Sequence, residues 1–171
     1  MEIDFLTEDD AWLALPEREA VAHRAVTAVF EVLGTPEPSA ELSIVFTGDA
    51  TVAELNRTWR GKPEPTNVLS FPAPRAMGKG AGEWPRTLGD IVLAAGVVAA
   101  ESQAQGKPLE NHTAHLIIHG VLHLLGHDHA DDETAETMEQ LEIRAMAQLG
   151  LPDPYKDATA PGPDERPRAT G

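Results

Sequence analysis

The 171-residue chain is 42% apolar, enough for one domain with a hydrophobic core and too short for two. Its formal net charge of −15 argues against a surface that coats nucleic acid, and the absence of cysteine excludes disulfides, thiolate metal ligands and cysteine catalysis. The acidic start "MEIDFLTEDD" lacks the basic opening and apolar stretch of a secretory signal. No apolar run reaches the length of a membrane span, so a cytoplasmic location without membrane attachment is expected.

In chain order, residues 2–6, "EIDFL", alternate as a strand. "PEREAVAHRAVTAVFEVLG" opens with Pro16 near a helix start and closes at Gly34, with Ala20, Val21, Ala25, Val26, Val29, Phe30 and Leu33 at helical spacing. "ELSIVFTG" is a strand with Leu42, Ile44 and Phe46 on one face. Asp49 is expected to cap a short helix, "ATVAELNRTWR", whose Leu55 and Trp59 turn inward. "NVLSF" is a short strand, residues 74–86 a mobile loop, and "LGDIVLAA" the clearest strand of the chain. A helix over 96–105 follows, then a histidine-bearing helix after Pro108 that ends at Gly126. "DDETAETMEQLEIRAMAQLG" is a last amphipathic helix with Met138, Leu141, Ile143, Met146 and Leu149 as core candidates. The pattern predicts an α+β fold, a mixed sheet of about four strands packed with helices. It forms a single catalytic domain over 1–157, and a disordered tail follows over 158–171.

Charge is unevenly placed along the chain. Residues 1–56 carry twelve acids and two bases, whereas 57–107 carry four acids and seven bases. Arg60, Lys62, Arg75, Lys79 and Arg86 thus lie in the one basic segment of an acidic protein.

Four of the seven histidines fall in "HGVLHLLGHDH", residues 119–129. His119 and His123 are four apart on a helix, so they project from one face about one turn apart and can chelate one ion. Gly126 can end the helix in a left-handed conformation, returning His129 as a third ligand in the H-x-x-x-H-x-x-G-x-x-H spacing of zincin-type sites. Three neutral nitrogens with an open fourth position describe a catalytic zinc at the end of a central helix. Nickel or copper would bind the same set. His115 shares that helix face, but i, i+4 and i+8 span about 12 Å by rise alone, which is too far for one ion. His115 is therefore assigned to the pocket wall or to supporting a ligand, His112 to the surface and His127 to the pocket rim. Asp128 either orients a ligand imidazole or forms a turn. Metallopeptidases place a glutamate directly after the first histidine as general base. Gly120 occupies that position, so peptide hydrolysis by the usual mechanism is not expected.

"HGVLHLLGHDH" strongly resembles the motif of the YbeY family, bacterial endoribonucleases of ribosomal RNA maturation with a zincin-like fold. "LNRTWRGKPEPTNVLSFP", "LGDIVLA" and "MEQLEIRAMAQLGLPDPY" are similar to further family segments in the same order, over about residues 40–155. The resemblance implies one Zn2+ per chain held by His119, His123 and His129, and a catalytic arginine matching Arg60. It also implies cleavage of single-stranded RNA in processing the small-subunit rRNA 3′ end and in ribosome quality control, with the small ribosomal subunit and an assembly GTPase as partners. Arg60 and the metal would both stabilise charge developing on a phosphodiester. Lys62, Arg75, Lys79 and Arg86 are candidate contacts to the RNA backbone, with His115 beside them in the substrate pocket.

Overall fold

The alternation of Leu42, Ile44 and Phe46 becomes strand β2 (Ala40–Thr47), which runs parallel to β1 (Glu2–Thr7) on one side and β4 (Arg86–Ala94) on the other. β3 (Val68–Pro72) closes the far edge antiparallel to β4, giving the order β1-β2-β4-β3. The computed structural model describes residues 1–73, 86–128 and 130–156, and only the backbone of Arg86. The expected loop over 74–85 and the expected tail lie outside these residues. Arg86, read as the end of that loop, is the first residue of β4. Gly89 has φ 142°, and a Cβ there would run into the Phe71 carbonyl of β3. Glycine thus permits the β3–β4 pairing at that register.

Alternation sends the two faces of the sheet to different cores. Leu42, Ile44, Phe46, Val68, Ile91 and Leu93 pack with the helices α1 (Arg18–Leu33), α4 (Leu109–Leu124) and α5 (Asp132–Gln148). On the opposite face Leu69 and Val92, with Val45 and Phe71, meet Val52 and Leu55 of α2 (Asp49–Arg60). α3 (Ala95–Gln105) continues directly from β4, and its Val98 enters the larger core. Among the described residues no helix is long and apolar enough to cross a membrane.

Several local expectations are corrected. Ala20 of α1 is exposed, and a 3-10 helix over Asp10–Ala14, absent from the sequence reading, buries Trp12 beside Phe46. Its indole Nε1 donates to the Thr47 carbonyl at 2.9 Å, which satisfies the polar end of a buried ring. Trp59 is 69% exposed rather than turned inward. The core beneath α2 is small, and Asn56 takes the last inward position, donating to the Glu64 carbonyl at 2.8 Å. On α5, Ile143 is only half-buried while Glu142 is buried, because the stripe facing inward runs through Ala135, Met138, Glu142, Ala145 and Met146.

Asp49 does not cap α2, whose N-cap is Gly48 without a side-chain bond. Its Oδ1 instead accepts from the backbone N–H groups of Gly96 and Val97, at 2.9 and 3.1 Å. These are orphan donors in the first turn of α3, so a residue 47 positions away performs the capping. Asp49→Ala should lower stability by about 1 kcal/mol, the usual cost of a lost N-cap. Thermal melts would read this as a drop of a few degrees, and an unchanged midpoint would show that α3 does not need this carboxylate.

Candidate metal centre

α4 is buried continuously from His112 to Leu122, so each polar side chain on it must find a partner. His112 lies on this buried stretch at 4% exposure, not on the surface as the sequence suggested. α3 packs on the start of α4, and His112 Nε2 stands 2.9 Å from Glu101 Oε1. The same oxygen accepts from Asn67 Nδ2 at 3.0 Å. Burial raises the Glu101 pKa, and the bonds from His112 and Asn67 more than offset it, leaving the carboxyl below its ordinary value.

One turn further along, two histidines share a second carboxylate. His115 Nε2 is 2.6 Å from Glu142 Oε1, and His119 Nδ1 is 2.8 Å from Glu142 Oε2. The Tyr155 hydroxyl also donates to Oε1, and its ring meets His115 edge-on with centroids 5.3 Å apart. Burial alone would push Glu142 up, but the hydrogen bonds from His115 and His119 hold it far below the usual carboxylate range. Burial pushes His115 down, toward the neutral ring. Tyr155 is pushed well above its ordinary value by burial and by the Glu142 charge, so its hydroxyl remains a donor.

The rings of His119 and His123 are 4.6 Å apart between centroids and inclined at 80°, with Nε2 of each shielded from solvent. Gly126, at φ 102°, and a His127 N–H to Leu122 carbonyl bond end the helix directly after His123. His127 is half-buried. Asp128 is exposed, and its Oδ1 accepts from Ala130 N at 3.2 Å, closing a local turn. His129 lies outside the described residues, and among the described residues no three His, Asp or Glu side chains are arranged to hold a metal ion. The two neighbouring imidazoles, one held at Nδ1 by a carboxylate, are a donor set that suits a borderline divalent ion such as zinc.

Arg60 occupies the last turn of α2 and is exposed, with Nη2 donating to the Ser70 carbonyl of β3 at 3.3 Å. Ser70 Oγ in turn donates to the Gly120 carbonyl at 3.4 Å, so β3 connects the arginine to the helix turn that carries His119. Lys62 is exposed just beyond α2. Arg75 and Lys79 lie outside the described residues, as does the Arg86 side chain. Glu142 and Tyr155 escaped the sequence reading. A charged residue four positions from both Met138 and Met146, inside an apolar stripe, was the available signal for Glu142.

The model of a family described as Endoribonuclease YbeY matches residues 5–150. An Endoribonuclease YbeY of Azorhizobium caulinodans is 48% identical over 91% of this chain and 96% of its own length. Those of Rhodopseudomonas palustris and Bradyrhizobium diazoefficiens are 47% and 44% identical, over 86% and 90% of this chain and 86% and 85% of their own lengths. A solution structure from Thermotoga maritima shares the fold at TM-score 0.51 and 21% identity, covering 90% of this chain and 99% of that one.

Gly120 faces the sheet. A Cβ there would lie 3.1 Å from Ser70 Oγ and from Ile91 Cδ1. Gly120→Glu, which recreates the peptidase spacing, would drive a carboxylate into this packed contact and leave it without a path to the site. The variant should be strongly destabilised in urea unfolding and show no casein cleavage. A stable Gly120→Glu protein with chelator-sensitive peptidase activity would contradict this placement.

Proposed function

The chain belongs to the YbeY endoribonuclease family, and we propose that it is a zinc-dependent, single-strand-specific endoribonuclease acting in small-subunit rRNA 3′-end maturation and ribosome quality control. The observation that carries the metal part of this reading is the paired, partly sequestered imidazoles of His119 and His123, with His119 oriented by Glu142. His129 completes the proposed ligand set. A bound zinc ion would supply Lewis-acid stabilisation of the charge that develops on a phosphodiester.

The residues of the chain do the rest. Arg60 offers a planar fork of five N–H donors, one of them committed to the Ser70 carbonyl, which holds the guanidinium against β3. The others can donate to the phosphate oxygens of a strand passing between α2 and the end of α4. Trp59, one residue earlier and 69% exposed, presents an indole on which an unpaired base can stack. Lys62, Arg75, Lys79 and Arg86 contribute charge to the strand's backbone, and His115 supports the metal centre from within rather than from the pocket surface. With a formal charge of −15, the protein is poorly suited to gripping free RNA through many phosphates. Recruitment by protein surfaces of the small ribosomal subunit or an assembly GTPase in the cytoplasm fits that charge.

Replacing His119, His123 or His129 by Ala should each remove tightly bound zinc, read by metal analysis after dialysis. His112→Ala should retain zinc while melting at lower temperature, because it breaks the buried pair with Glu101. Zinc retained by His129→Ala but lost from His115→Ala would reassign the third ligand.

Arg60→Ala should leave zinc content and fold intact. Loss of one preorganised donor typically costs roughly 10²–10³ in rate. Single-turnover cleavage of a single-stranded RNA should fall by that factor, while affinity for the RNA changes much less. Arg60→Lys should recover only part of the rate, since an ammonium lacks the two-pronged geometry. Cleavage by Arg60→Ala at the wild-type rate would remove this residue from the site.

A further inference from the structure

Glu142 is a buried carboxylate with both oxygens engaged, and its partners come from two separate elements, α4 and the segment after α5. An ionised carboxylate can only accept hydrogen bonds, so each partner must present a hydrogen to it. For His119 that hydrogen is on Nδ1. A neutral imidazole carries one hydrogen, so the lone pair of His119 is then on Nε2, the atom on the side of the ring away from Glu142. For His115 the bond runs through Nε2, which gives the opposite tautomer and commits to the carboxylate the ring atom that in His119 lies on the far side from it. One carboxylate thereby imposes different tautomers on two histidines a single turn apart.

We propose that Glu142 is the positioning residue of the metal centre, selecting Nε2 of His119 as its ligand atom, with His115 and Tyr155 holding the carboxylate in place. The inference rests on the metal reading above and adds the residue that makes the site geometrically definite. Without the carboxylate, His119 is free to adopt the other tautomer, which puts a hydrogen where the ion must bind, or to rotate about its ring torsion. His115 and Tyr155 act by occupying Oε1 together, which leaves Oε2 for His119 alone. The segment carrying Tyr155 is itself tied down, since Lys107 donates to the Pro154 carbonyl. The ordering of the chain after α5 is therefore coupled to the orientation of a ligand on α4.

The test begins with metal-free wild-type protein, using long-range 1H–15N spectra of the imidazole rings. His119 should show the Nδ1–H form and His115 the Nε2–H form. Zinc affinity is then measured by competition with a chromophoric chelator for wild type, Glu142→Gln, Glu142→Asp and Tyr155→Phe. A glutamine amide cannot accept from both histidines, so Glu142→Gln should lose the single tautomer at His119. Loss of such a partner typically costs 10- to 100-fold in metal affinity, and the affinity should fall by about that much. Glu142→Asp should recover part of the loss. Tyr155→Phe, which removes a single hydroxyl and keeps the ring, should weaken zinc by less than Glu142→Gln and serves if that variant does not fold. Failure of wild type to take up zinc would overturn the metal reading itself. Zinc uptake with His119 in the Nε2–H form, or variants that melt earlier yet bind zinc as wild type does, would overturn the positioning role alone.

Discussion

Burying an ionised carboxylate costs several kcal/mol unless charge-assisted hydrogen bonds replace the lost water. Glu142 sits at 1% exposure in the middle of the inward stripe of α5, where a methionine or leucine would pack without that cost. Its bonds to His115, His119 and Tyr155 meet the requirement and in the process orient the histidine helix. Removing one member of such a network leaves the others buried without compensation, so the arrangement is held together as a unit. A fold built for stability alone has no use for it. Its presence at the start of the "HGVLHLLGHDH" stretch is what ties the architecture of the chain to its chemistry.

The remaining elements serve to keep α4 where this network needs it. Gly120 lets the helix approach β4 and Ser70 closely enough that no side chain fits between them. Gly89 permits β3 to pair with β4 at the register that puts Ser70 beneath the helix. Ser70 then bonds α4 through its hydroxyl and receives Arg60 at its carbonyl. The arginine proposed to meet the phosphate and the helix proposed to hold the metal are thus referenced to the same strand. Asp49, by capping α3 from the start of α2, fixes a second connection between the two sides of the sheet.

Much of the architecture was legible because it follows from periodicity. Among the described residues the four strands and five α-helices lie where alternation and helical spacing put them, and Gly34 and Gly126 stop their helices with positive φ as their positions imply. What escaped depends on contacts between distant segments. Asp49 looks like a cap for the helix beside it, and only the fold reveals that its carboxylate reaches α3. Trp59 has the right spacing to face inward, but the core under α2 is too small to take it. His112 reads as a surface residue in the sequence, yet α3 covers it and supplies Glu101. Of the candidate metal site, the pairing of His119 with His123 was readable from an interval of four. The carboxylate behind it was not, since its partner stands 23 positions away on another helix.

The proposed metal centre is one zinc ion held by His119, His123 and His129 through imidazole nitrogen. X-ray absorption at the zinc K-edge, on wild-type protein loaded with one equivalent, measures this most directly. Ligation by three histidines should give a first shell with nitrogen at about 2.0–2.1 Å and the outer-shell scattering of three imidazole rings, with one further light-atom position open to solvent or substrate. A shell of carboxylate and water oxygens, or outer-shell scattering from fewer than three imidazoles, would contradict it.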